Sequence, residues 1–147
     1  MAKTTILRRQ HDSAMELVNE IRELMTGYRG ERDAFTLSLR LTKLNAVLRS
    51  HFAQEDRYLY PTLMTAGDPQ VRETAMAFVD EMGSLGATYE EFAGRWKTSD
   101  LIAANVKGFR RDATALFDAL ETRIERENEV LYPMADQASE TAINNAA

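Results

Sequence analysis

The chain has 147 residues, a length that supplies one hydrophobic core and leaves little room for a linker between two folded domains. It contains no cysteine, which excludes disulfides and thiolate-held zinc or iron–sulfur clusters, leaves nitrogen and oxygen as the available metal ligands, and fits a reducing compartment. Its 23 acidic and 18 basic residues are interspersed, so there is no basic stripe for nucleic acid, and no apolar run reaches the ~18–20 residues that span a membrane.

The first ten residues carry basic side chains with no apolar stretch behind them, so they do not read as a secretory signal and the chain is expected to be cytoplasmic. Scarce glycine and proline, with abundant Leu, Ala, Met, Glu and Arg, favour helix throughout. The spacing predicts a first helix from about Thr4 to Thr26, with the seam Leu7, His11, Ala14, Val18, Ile21 and Met25, ended by Gly27. A second runs from about Glu31 to Met64 through Leu37, Leu41, Leu44, Leu48, His51, Glu55 and Tyr58, with Pro61 expected to kink its last turn. Asp68 caps a third that starts at Pro69 and reaches about Lys97, its seam Ala75, Phe78, Met82, Leu85 or Gly86, Tyr89, Phe92 and Trp96. Ser99 and Asp100 are expected to cap a fourth, with the seam Phe109, Ala113, Leu116, Leu120, Arg123, Glu127, Val130 and Met134. The expected organisation is one all-α, up-down-up-down four-helix bundle over residues 1–136, followed by a small, polar and disordered tail over 137–147.

A segment of the second helix recurs in the fourth. His51-Phe-Ala-Gln-Glu55-Asp-Arg-Tyr-Leu-Tyr-Pro61 reappears at an offset of 72 residues as Arg123-Ile-Glu-Arg-Glu127-Asn-Glu-Val-Leu-Tyr-Pro133. The two halves share one site plan, with arginine standing where the other half has histidine.

If the seams are core, His11, His51, Glu55, Arg123 and Glu127 all point inward, with Tyr89 as a further candidate. A buried unpaired carboxylate costs several kcal/mol, so the group must satisfy itself or a bound cation. His51 with Glu55, and Arg123 with Glu127, lie one turn apart on their helices and can converge on one point.

At these residues the chain resembles the hemerythrin-like (HHE) family, over about residues 5 to 136. Such proteins carry a histidine on the first helix, H-x-x-x-E followed by an L-Y/F-P turn on the second, two histidines one turn apart on the third, and H-x-x-x-E/D on the fourth. Together these hold a non-haem di-iron centre that binds or reacts with oxygen. The resemblance makes His11, His51, Glu55 and Glu127 metal ligands. It puts the third-helix pair on Met82 and Gly86, and the fourth-helix histidine on Arg123. The histidines of one iron are therefore present and those of the other are absent. Arg123 is expected to fill the vacated position and neutralise Glu55 and Glu127.

The resemblance therefore implies at most one metal, iron foremost with zinc or manganese also acceptable, and a sensor or regulator linked to oxygen, redox state or iron rather than an oxygen carrier. A chain of this size leaves little room for an output domain, so a regulator would act through a protein partner. Two other readings stay open: a mononuclear iron enzyme acting on oxygen or peroxide, disfavoured by the lack of a general acid or base outside the metal set, and a metal-free interaction module with a buried Arg-Glu-His network. Tyr89 is either core with a bonded hydroxyl, or a ligand or a partner of the ligands. Met82 reads as core, and Tyr60 and Tyr132 as packing at the bundle end.

Overall fold

The computed structural model describes residues 4–137, apart from the side chains at positions 82 and 83. Helix α1, Thr5–Thr26, buries Leu7, His11, Ala14, Val18, Ile21 and Met25, the whole predicted seam, and ends at Gly27. After a short connection α2, Glu31–Gln54, starts with Glu31 and Asp33 in its first turn, where carboxylates oppose the positive end of the helix dipole. It buries Ala34, Leu37, Leu41, Leu44, Leu48 and His51. The short α3, Tyr60–Met64, continues it. Asp68 caps α4, Pro69–Arg95, by accepting from the Gln70 amide at 2.9 Å.

The last predicted helix is divided. α5, Ser99–Ala104, is capped by Thr98, whose hydroxyl accepts from the Leu101 amide, and not by Ser99 and Asp100. The chain breaks at Asn105, which caps α6, Val106–Arg126, through its side-chain oxygen and the Gly108 amide at 3.0 Å. A Cβ at Gly108 would stand 2.5 Å from the Asn105 side chain, so the glycine leaves room for that cap.

Two turns depart from the α-helical period. Glu55–Leu59 and Glu127–Leu131 are single π-helical turns, in which the Tyr60 amide bonds to the Glu55 carbonyl and the Tyr132 amide to the Glu127 carbonyl. Each holds one extra residue, which moves the next segment by about 100° around the axis. The expectations for Tyr58 and Val130 are corrected for this reason: they are 67% and 43% exposed, while Leu59, Tyr60, Leu131 and Tyr132 are buried. The wide turns precede Pro61 and Pro133, whose rings have no N–H and crowd the carbonyl four residues back. The strain expected as a kink at Pro61 is taken up as a widened turn before it. Helix resumes over residues 132–137. The expected tail lies, beyond residue 137, outside the described residues.

α1 packs on α2 and α6, and α4 packs on α2, α3 and α6. His11 lies early in α1, His51 late in α2, Phe78 early in α4 and Arg123 late in α6, yet hydrogen bonds join them into one layer. Successive long helices therefore alternate in direction, as an up-down-up-down bundle requires. One apolar cluster, around Val18, Leu44, Phe92 and Phe117, fills one end of the bundle. Another, around Leu59, Leu63, Phe78 and Leu131, fills the other. The polar layer sits between them, with His11 flanked along its helix by Leu7 of one cluster and Ala14 of the other. Among the described residues no strand forms, and no helix is long and apolar enough to cross a membrane.

Candidate metal centre

His11 and His51 meet ring to ring across α1 and α2, their Nε2 atoms 3.1 Å apart. Their opposite nitrogens face amide oxygens: His11 Nδ1 lies 2.8 Å from Asn128 Oδ1, and His51 Nδ1 lies 2.9 Å from Gln10 Oε1. An amide oxygen only accepts, so each Nδ1 carries its hydrogen. In the neutral rings both Nε2 lone pairs then point into the same space. Either a proton or a metal ion must separate them.

The two glutamates, each first in its π turn, complete the group. Glu127 Oε1 lies 3.1 Å from His11 Nε2 and 3.8 Å from His51 Nε2, and Glu55 Oε1 lies 3.2 Å from His51 Nε2. All four side chains are buried, and their donor atoms lie within 4.8 Å of one another. The outer oxygens are held from the opposite half of the chain. Tyr132 donates to Glu55 Oε2 at 3.1 Å, and Tyr60 donates to Glu127 Oε2 at 3.3 Å. Glu55 Oε1 faces His51 Nε2 without a well-aligned hydrogen bond, so this buried oxygen needs a proton or a cation to satisfy it.

Burial pushes the Glu55 carboxyl up to about 8, with the neighbouring Glu127 adding to the shift. Burial lowers the His51 imidazole, but Glu127 and Glu55 outweigh it and raise the ring to about 9. Glu127 goes the other way: burial alone would raise it, yet its contacts with Glu55, His11 and His51 hold it well below the usual carboxylate range. The two carboxyls have similar burial, and their divergence is that of a pair in which one ionises and the other keeps a proton. Without a metal, the cluster at neutral pH holds protons on His51 and Glu55 and a negative charge on Glu127.

These residues fit one metal ion. Nitrogen and oxygen ligands about 2.0–2.1 Å from a common ion stand about 3.0–3.4 Å from each other, and three of the donor contacts fall at 3.1, 3.1 and 3.2 Å. Two imidazoles and two carboxylates suit Fe(II), Zn(II) or Mn(II).

They do not fit a second. Arg123 lies beside Glu127, its Nε 3.8 Å from Glu127 Oε2, but its hydrogen bonds go outward, to Tyr60 Oη at 2.7 Å, the Phe78 carbonyl at 2.8 Å and Glu81 at 3.2 Å. Its guanidinium lies over the Phe78 ring, 4.5 Å from the centroid. The expectation that it neutralises both glutamates is corrected to Glu127, the one that its Nε approaches, while Glu55 is held on its outer oxygen by Tyr132. The α4 residue at this level is Phe78, one turn before Met82. A Cβ at Gly86 would meet nothing within 4 Å. The expected pair at Met82 and Gly86 is thus displaced by a turn, and the side chain of Met82 lies outside the described residues. Tyr89 stands eleven residues beyond Phe78, about 16 Å along the helix, and donates its hydroxyl to Asn45 within the apolar core. It does not join the cluster.

Periodicity singles out the ligands but misses the residues that orient them. Gln10 and Asn128 adjoin His11 and Glu127 in the sequence, and that adjacency is their only signal. Tyr60 and Tyr132 have one in the repeated Leu-Tyr-Pro.

A profile of the family described as Hemerythrin HHE cation binding domain matches residues 2–135. No curated protein and no solved structure matches the chain.

Proposed function

The chain belongs to the hemerythrin HHE cation-binding family, and from that premise we propose that it holds a single metal ion, iron foremost, and serves as a sensor or regulator linked to oxygen, redox state or iron rather than as an oxygen carrier. His11, His51, Glu55 and Glu127 are its ligands, and Arg123 takes the place of the second metal. The observation that carries the reading is the convergence of two imidazole Nε2 atoms, each ring fixed by an amide oxygen on its far side. Metal-bound histidines are oriented in this way by their outer partners.

A bound iron ion would supply one electron between its ferrous and ferric states. The protein's part is to keep that ion dry between two apolar clusters, to hold both imidazoles in one tautomer, and to leave Arg123 as a fixed positive charge beside Glu127. Reversible oxygen carriage in the family draws one electron from each of two irons, and where the second would sit this chain has Arg123 and, facing it from α4, Phe78. The protein is expected to be cytoplasmic and to act through a protein partner.

Elemental analysis of protein purified without chelators tests the reading. One iron per chain supports it, two refute the single-metal site, and none, with no rise in melting temperature on adding Fe(II), Zn(II) or Mn(II), overturns it in favour of a metal-free module.

A further inference from the structure

The same centre contains a fifth donor atom. The Tyr132 hydroxyl is fully buried and reaches the cluster from the turn that follows Glu127, 3.0 Å from His11 Nε2 and 3.1 Å from Glu55 Oε2. A phenol has one proton to give. If it donates to Glu55, its oxygen lone pairs face the Nε2 lone pair of His11, whose own hydrogen is on Nδ1 toward Asn128. With the imidazoles neutral and Glu55 ionised, as coordination requires, the phenol can serve His11 or Glu55 but not both, and a cation among the three atoms takes up the two nitrogen lone pairs and the phenol oxygen together.

Tyr60, its counterpart in the other half, is placed differently. Its oxygen accepts from Arg123 and donates to the outer oxygen of Glu127, so a fixed cation already occupies its free side.

We infer that Tyr132 is a ligand of the metal ion, binding ferric iron as a phenolate and making the centre a ferric site of two imidazoles, two carboxylates and one phenolate. The inference rests on the single-metal reading above. On binding, the phenol O–H bond breaks, an oxygen–iron bond forms, and the phenol proton leaves to solvent along with those of His51 and Glu55, with no change in the oxidation state of iron supplied as Fe(III). Two carboxylates and a phenolate balance three positive charges at a buried site, while Arg123 is paired on its outer side by Glu81.

The test loads the full chain with ferric nitrilotriacetate and records the visible spectrum. The wild type is expected to take up one Fe(III) and show the charge-transfer band of a phenolate on iron. Tyr132→Phe is expected to lose the band and bind Fe(III) at least about tenfold more weakly, with Zn(II) affinity changed far less. Tyr60→Phe, a replacement of the same size in the same kind of turn, should keep it. Iron bound without the band, or a band that survives in Tyr132→Phe, overturns this assignment and leaves the single-metal reading standing. Failure to bind any metal overturns both.

Discussion

Tyr132 and Glu55 are joined by a 3.1 Å hydrogen bond across the two halves of the chain. The equivalent residues 72 positions away, Tyr60 and Glu127, make the reciprocal bond at 3.3 Å. Each half thus supplies the carboxylate that the other half's tyrosine orients. Each bond fixes the outer carboxylate oxygen, so the inner ones turn toward the histidines. The symmetry breaks where His51 faces Arg123, and the two sides then carry different charges.

That difference sets the proton stoichiometry of metal uptake. With His51 raised to about 9 and Glu55 to about 8, both hold protons at pH 7 and must release them to coordinate. Zn(II) or Fe(II) binding at pH 7 is expected to liberate about two protons, and the affinity should keep rising with pH until about 9, well above the point expected from an ordinary imidazole near 6.5. Titration calorimetry in buffers of different ionisation enthalpy counts the protons. Release near zero would show that the four side chains are not the ligands.

The stability of the metal-free protein should carry the same signature. His51 is raised in the fold, so its contribution is full below about 6.5 and is lost as pH climbs through about 9. Glu55 is also raised, so the cost of burying its charge is absent below about 4.5 and complete above about 8. Glu127 is lowered, so its contribution is present above about 4.5 and falls away in acid. Urea midpoints of the metal-free protein should peak near pH 4.5 and fall from there to about pH 9, and saturating metal should move that peak upward. A midpoint that still rises from pH 6.5 to 9 would contradict this ordering.

The amide clamps can be removed without touching a ligand. Gln10→Leu frees His51 Nδ1 and Asn128→Leu frees His11 Nδ1. Each is expected to weaken metal binding by about 10–100-fold, as loss of an outer partner of a metal-bound histidine does. Both positions are half-buried, and the folded structure should survive. Competition against a chelator of known affinity checks this, and unchanged affinity in both variants would show that the clamps do not orient the rings.

Arg123→Ala should destabilise the metal-free protein by about 3–5 kcal/mol, because it leaves Glu127 and the Phe78 carbonyl in the core without their cationic donor. A loss under about 1 kcal/mol in chemical unfolding would mean that solvent replaces the guanidinium.

The register of α4 can be tested by rebuilding the missing half-site. Phe78→His and Met82→His combined with Arg123→His should bind a second metal ion, since position 78 lies directly against Arg123. The same triple variant with Gly86→His in place of Phe78→His should bind one, because position 86 opens on empty space. Equal stoichiometry in the two variants would remove the basis for the one-turn displacement.

Where the backbone keeps the ordinary α-helical period, the apolar spacing foretells the structure: every seam residue of α1 is buried, and in α2 the agreement holds as far as Glu55. It fails within the next turn. An alternation of 3.6 residues cannot anticipate a turn that takes in one more, so it puts Tyr58 and Val130 inside and undervalues the tyrosines two positions on. The four candidate ligands are legible because a charged residue on an apolar seam conflicts with its surroundings. Their orienting partners are not, because Gln10 and Asn128 are half-exposed polar residues that pattern alone cannot tell from a solvated surface. Arg123 is recognisable but only half placed, since its length lets it reach α4 as well as Glu127, and sequence spacing does not say which way a long side chain turns.

The π turns also act as gearing. Glu55 opens one and Glu127 the other, and everything beyond each turn is indexed to it by a single surplus residue. Rewinding either turn into ordinary helix would wheel the segment beyond it through about 100°, carrying Tyr60 or Tyr132 off its carboxylate and swinging Tyr58 or Val130 from solvent toward the interior. The coordination layer and the outer face of the bundle end therefore share one shaft, and a change of grip on either glutamate has a torsional route to the surface.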